Sequence, residues 1–251
     1  MDRIRNHVAL VALVALLLAT LTLAACGGSK PGPAAAQSTP SPAARPAETS
    51  SGLVPAPGAT PATVVTGSVG LGRNLIVNGG ADQPSANGPC SLAGWTPGPQ
   101  LEAAAYGSAF GEPAADSPGP ADRGRCYLRA AIGNGASEDL TAQSIDVSGL
   151  AADIDTDTVT ATLGGWFGGQ NAGYTFNAAF RDAGGSILDV LPAGDVAIPP
   201  DGAALAESTS SVEVPAGTRT VEIQLLFSFD GDCTDCSSFA YADSLSLTLS
   251  R

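Results

Sequence analysis

The run Thr220-Val221-Glu222-Ile223-Gln224-Leu225-Leu226-Phe227-Ser228-Phe229 places Val221, Ile223, Leu225, Phe227 and Phe229 on one side of an extended chain. Thr220, Glu222, Gln224 and Ser228 fall on the other. Alternation of period two with one apolar face is the mark of a half-buried antiparallel strand. The same reading applies to Thr158–Leu163, where Thr alternates with Val159, Ala161 and Leu163, to Tyr174–Arg181, and to Phe239–Leu249. Turn chemistry separates these runs: Asp182-Ala-Gly-Gly, Pro199-Pro-Asp-Gly and Pro215-Ala-Gly. No segment carries an amphipathic helical repeat of useful length. The pattern predicts an all-β fold, a single antiparallel β-sandwich.

Outward from these strands the composition changes in steps. All 13 aromatic residues lie from Trp95 onward, as do all the acidic residues except Asp2 and Glu48 from Asp82 onward. Residues 73–251 are therefore the expected binding domain, of ordinary single-domain size. Residues 26–72 are rich in Pro, Ala, Ser and Thr, with eight prolines and no aromatics. Such a stretch cannot bury enough apolar surface to offset its ordering entropy, and is expected to be a disordered tether.

Residues 1–25 carry Arg3 and Arg5, then an apolar run from Val8 ending Leu23-Ala24-Ala25 before Cys26. This is the pattern of an export signal, and Leu-Ala-Ala-Cys resembles a bacterial lipobox. The resemblance implies lipidation of Cys26 and a chain anchored by lipid outside the cytoplasmic membrane or at the cell surface. A plain membrane-spanning anchor is the alternative.

The domain has seven Arg against 22 acidic residues, no Lys and no His. That balance excludes nucleic acid as a partner, which needs a basic patch. Without His or Lys there are no Ser-His or Cys-His nucleophile pairs, Schiff-base lysines or phosphate-loop lysines. Paired carboxylates of the glycosidase type remain. Glu102, Glu112, Glu138, Glu207, Glu213 and Glu222 sit in no recognisable catalytic motif, so the expectation is a protein that is not an enzyme.

Asn74-Leu-Ile-Val-Asn-Gly-Gly-Ala-Asp82 followed by Gly94-Trp95-Thr96 resembles the opening of carbohydrate-binding modules with the galactose-binding-like jelly roll. Gln143–Ser148, Phe180–Leu188, Val214–Val221 and Tyr241–Leu249 are similar to their later strands, in the same order. The resemblance implies a glycan or polysaccharide partner. It also implies a structural calcium held by Asp82 and Asp243, whose hard oxygens suit that ion. Asp243 shares strand parity with Phe239, Tyr241 and Leu245, so it is expected to face the core. A salt bridge to Arg73 or a register shift are the alternatives. A structural or protein-interaction module of the same fold competes with the glycan reading.

Sugar binding calls for an aromatic platform. Trp166 has the parity of Thr158, Thr160 and Thr162, which places it on the second face of its sheet. Its flanking Gly164-Gly165 and Gly168-Gly169 either admit a ligand or mark a bulge that turns the ring inward. Tyr106 and Tyr127 are the other candidates, each with a core-packing reading beside the functional one, while Trp95 is expected in the core. Four cysteines in an exported domain point to disulfides. Proximity in sequence favours Cys90–Cys126 and Cys233–Cys236, with zinc binding as a weaker alternative for the latter. The acidic loop Asp230, Asp232 and Asp235 is a second candidate metal site or a solvated loop.

Overall fold

The alternating runs are strands, and most extend past the segments whose periodicity announces them. The computed structural model describes residues 63–65, 69–108, 112–132, 138–156, 158–194, 197–199, 202–229 and 238–251. The expected signal segment, Cys26, most of the expected tether, and Cys233 and Cys236 with their acidic loop lie outside the described residues. In chain order the strands are β1 (Thr63–Val65), β2 (Leu101–Ala105), β3 (Cys126–Ile132), β4 (Glu138–Asp146), β5 (Thr160–Gln170), β6 (Ala172–Arg181), β7 (Ile187–Pro192), β8 (Ala206–Glu213), β9 (Thr220–Phe229) and β10 (Ser238–Ser250). The described helix amounts to the short turns Ser148–Leu150 and Ala151–Ile154.

One sheet has the order β1-β4-β9-β6-β7 and the other β2-β3-β10-β5-β8. The chain crosses between the sheets from β4 to β5 to β6, and again from β7 through β8 and β9 to β10, the winding of a jelly roll. Val221, Ile223, Leu225 and Phe227 of β9 form one wall of the core, and Leu163, Phe167, Leu245, Leu247 and Leu249 form the other. Each large side chain so buried contributes about 1.5–3 kcal/mol. Trp95 is in this core, its indole N–H donating to Asn78 O at 3.1 Å.

Two features depart from the sequence expectation. Thr63-Val64-Val65 is a strand within the stretch read as tether, and its pairing with β4 is parallel in a sandwich otherwise antiparallel. The physical reason is local: these residues are a β-branched run, which suits a pleated edge.

The second departure concerns Asp243. Between Asp243 and Ser246 the pairing of β10 with β5 shifts by one residue. Ser244 takes a left-handed backbone there, with φ 50°. The extra residue exchanges the faces of β10. Leu245, Leu247 and Leu249 lie in the main core beyond the bulge, while before it Ala240 and Ala242 do so. Phe239 and Tyr241 point outward into a separate cluster with Tyr127 and Leu205. Asp243 follows them. It is buried, with 1% exposure, but on the outer face of its sheet and not in the inter-sheet core.

Candidate functional site

The Asn74–Asp82 segment is held against β10 by its own polar groups. Asn74 Oδ1 accepts from the backbone N–H groups of Ile76 and Leu247, and its Nδ2 donates to Leu245 O. A side chain on Gly79 would overlap the Leu245 carbonyl, so only glycine permits this approach. Asn78 and Ala81 have positive φ, at 57° and 59°. This turn carries Asp82 to the Asp243 bulge, so three strained non-glycine residues border one place.

There Asp82 Oδ1 accepts from the amides of Arg125 and Cys126 at 2.7 and 3.0 Å. Asp243 Oδ1 accepts from Ser244 N–H at 2.6 Å, and its Oδ2 from the Tyr106 hydroxyl at 2.5 Å. The position a Cβ on Gly80 would take is 2.8 Å from Asp243 Oδ1 and 2.9 Å from Asp82 Oδ2. A Cβ on Gly124 would overlap the Asp82 carboxylate. Two glycines thus leave a cradle into which both acids project, and the sequence-predicted pair is brought together. Burial, reinforced by the charge of Asp82, pushes Asp243 up to about 6 against the opposing effect of its hydrogen bonds and Arg123. Tyr106 is pushed up as well, by burial and then by the Asp243 carboxylate, so it stays a neutral donor.

The cradle opens into a cleft of about 420 Å³ lined by Asn74, Asp82, Asp122, Trp166, Asp243 and Ser246, among others. Trp166 is directly opposite Asp243 on β10 and opposite Glu207 on β8. It is half-buried and on the outer face, as its parity predicts. Its glycine neighbours serve the protein's own packing: a Cβ on Gly168 would strike the Ala204 carbonyl, and one on Gly165 would meet Leu245 Cδ2 at 2.5 Å. The bulge is in the facing strand and leaves the ring outward.

Tyr106 is half-buried, packed on Tyr127 with ring centroids 4.9 Å apart, and capped by the Arg123 guanidinium 5.2 Å from its own centroid. Tyr127 itself is fully buried, with 0% exposure, so it offers no ring face to a ligand. Its hydroxyl donates to Glu112 Oε2 at 2.9 Å, and Glu112 pairs with Arg129 at 2.5 Å. The segment around residues 112–124 closes over this part of the sheet, which strand periodicity cannot reveal.

Sequence reasoning did not single out Asp122, Glu207 or Asn74 as parts of one site. Hydrogen bonds to β10 bring Asn74 there, the segment before β3 brings Asp122, and the pairing of β5 with β8 sets Glu207 beside Trp166. On the other sheet, register sets Ala142, Gln224, Asn177 and Pro192 in one outward row and Ser144, Glu222, Ala179 and Val190 in the next. These rows contain no aromatic residue.

Among the described residues no group of three or more His, Cys, Asp or Glu is gathered as a metal would require. The Asp82–Asp243 pair nevertheless fits a calcium ion in chemistry: two carboxylates, a cradle cleared by glycine, and Asp82 Oδ2 left without a protein donor. Of the cysteines, Cys90 and Cys126 are bonded, with Cα atoms 5.7 Å apart, as expected.

No family model and no curated protein matches the chain. Solved structures do. In fold, the domain is similar to carbohydrate-binding modules. The CBM22-1 xylan-binding domain of Paenibacillus barcinonensis Xyn10C is 13% identical, with a TM-score of 0.40 over 69% of this chain and 92% of that one. A cyclase from Fischerella sp. TAU is 15% identical, with a TM-score of 0.49 over 69% and 95%. The enzymatically active domain of bacteriophage CBA120 tailspike protein 4 is 14% identical, with a TM-score of 0.46 over 70% of this chain and only 21% of the tailspike chain. At such identities the likeness is one of fold and does not fix a ligand.

Proposed function

We propose that the domain binds glycan without cleaving it, in the cleft walled by Trp166, and that Cys26 tethers it by lipid outside the cytoplasmic membrane. The observation that carries the reading is the half-buried Trp166 ring beside an otherwise polar cleft. An aromatic face covers the apolar side of a sugar ring, while Asn74, Asp122 and Ser246 offer groups for its hydroxyls. Xylan binding by a structurally similar module agrees with this class of ligand.

Calcium belongs to the same reading: Asp82 and Asp243 would hold it, and it would lock the Asn74–Asp82 segment onto β10 while neutralising two adjacent carboxylates. The chain's own residues orient that pair through the Arg125, Cys126 and Ser244 amides and the Tyr106 hydroxyl.

A glycan array probed with the protein, followed by calorimetry on the hits, tests the proposal. Binding that weakens in Trp166→Ala with no release of reducing ends supports it. Silence across the array removes it. A second reading, a protein-interaction module, draws on Ile187 and Leu188, exposed side by side on edge strand β7. Capture of an envelope protein that Trp166→Ala leaves intact and Leu188→Glu abolishes would favour it.

A further inference from the structure

The walls around Trp166 carry a charge pattern that narrows the ligand. Asp243 and Glu207 are its cross-strand partners on either side, and both lie on its outward face. Asp82 and Asp122 line the same cleft, whereas among the described residues no basic one does. Asp122 makes no hydrogen bond or ion pair among the described residues, and Glu207 is exposed beside the ring. The guanidinium nearest to Tyr106 is committed elsewhere: Arg123 donates to the carbonyls of Pro120, Ala114 and Ser117.

An aromatic ring between two carboxylates is suited to a cation. The ring face attracts an ammonium group, and the exposed Glu207 and Asp122 carboxylates accept charge-assisted hydrogen bonds from it, while Asp243, buried with both oxygens bonded to Ser244 and Tyr106, contributes only its negative charge. An acidic sugar would meet like charge with no cationic partner, and would lose water without gaining one. We infer that the glycan this cleft takes carries free amines, that is, an amino sugar in its deacetylated, protonated form. The inference rests on the glycan reading of the Trp166 cleft and adds the chemical class of the ligand.

The test is titration calorimetry of the full chain with a glucosamine oligosaccharide, its N-acetylated counterpart, a neutral xylo-oligosaccharide and a uronic-acid oligosaccharide. The buffer is near neutral, where the carboxylates are charged and a share of the amine is protonated, and contains a chelator, so that no divalent ion competes for the carboxylates. The glucosamine oligomer should bind about tenfold more tightly than its acetylated form, equivalent to about 1.4 kcal/mol. The preference should narrow in Glu207→Gln and in Asp122→Asn, both of which replace exposed groups. Equal affinity for the acetylated or uronic sugar overturns the inference and leaves the glycan reading standing. A preference that survives both substitutions reflects the domain's overall negative charge and also overturns it. Absence of binding by all four sugars strikes the glycan reading itself, and the inference with it.

Discussion

Asp243 and Trp166 are direct cross-strand partners on the outer face of the second sheet, and they are so because β10 carries one extra residue between Asp243 and Ser246. Without the bulge, a regularly alternating β10 would put Asp243 on the face of Leu245 and Leu247, in an apolar core with no cation to meet it. With it, the carboxylate stays buried but reaches the Tyr106 hydroxyl and the neighbourhood of Asp82. β-Bulges commonly re-aim a side chain in this way beside a binding site.

The three sequence candidates for an aromatic platform should separate by experiment. Trp166→Ala should weaken glycan binding by about 2 kcal/mol, roughly thirtyfold, as buried Trp anchors do, with a minor effect on folding. Tyr127→Ala should instead cost about 3–5 kcal/mol of stability, since it empties a fully buried site and strips Glu112 of a donor. Urea denaturation alongside calorimetry distinguishes the two.

Calcium should raise the melting temperature of the protein, and a chelator should reverse the rise. At free calcium a hundredfold above Kd the stabilisation is about 2.7 kcal/mol. Asp82→Asn and Asp243→Asn, which preserve acceptors for the backbone amides and for Tyr106, should each abolish the calcium-dependent shift in a thermal melt. An unchanged melt of the unsubstituted protein would count against the site.

Asp139 is 1% exposed, and its Oδ2 has no hydrogen-bond partner. Burial raises its pKa, against a weak opposing bond from Gln100 N–H. A carboxyl with a raised folded-state pKa contributes most below its unfolded value of about 3.9, and that contribution is lost as pH rises through the folded value. Asp139→Asn should therefore stabilise the domain by about 1 kcal/mol near neutral pH and little or not at all near pH 3. Chemical denaturation across pH reads this directly.

The Cys90–Cys126 bond closes a loop with a sequence separation of 36 and ties the segment after Asp82 to the start of β3. Replacing both cysteines by Ser should lower stability by roughly 3–4 kcal/mol on the chain-entropy model. Because Asp82 accepts from the Cys126 amide, the same variant should also weaken calcium binding.

The sequence by itself determined the strands whose apolar residues alternate strictly, such as β9 and β6, because period two follows from backbone geometry alone. Strict alternation also points Trp166 outward, with a bulge that would turn it inward left open, whereas the core position of Trp95 is read from its Gly-Trp-Thr setting and not from alternation. The sequence also determined which chemistry is absent from the domain, since that depends only on residue types. Only the tertiary structure decided the face of Asp243, because one inserted residue inverts parity and its cause, a left-handed Ser244, is not encoded by a glycine. Only the tertiary structure buried Tyr127, because the covering segment is distant in sequence and irregular. The cleft is likewise a product of tertiary assembly: Asp82, Asp122, Trp166 and Asp243 come from four separate parts of the chain, and no local pattern relates two loop residues to positions that meet only when β10 and β5 pair.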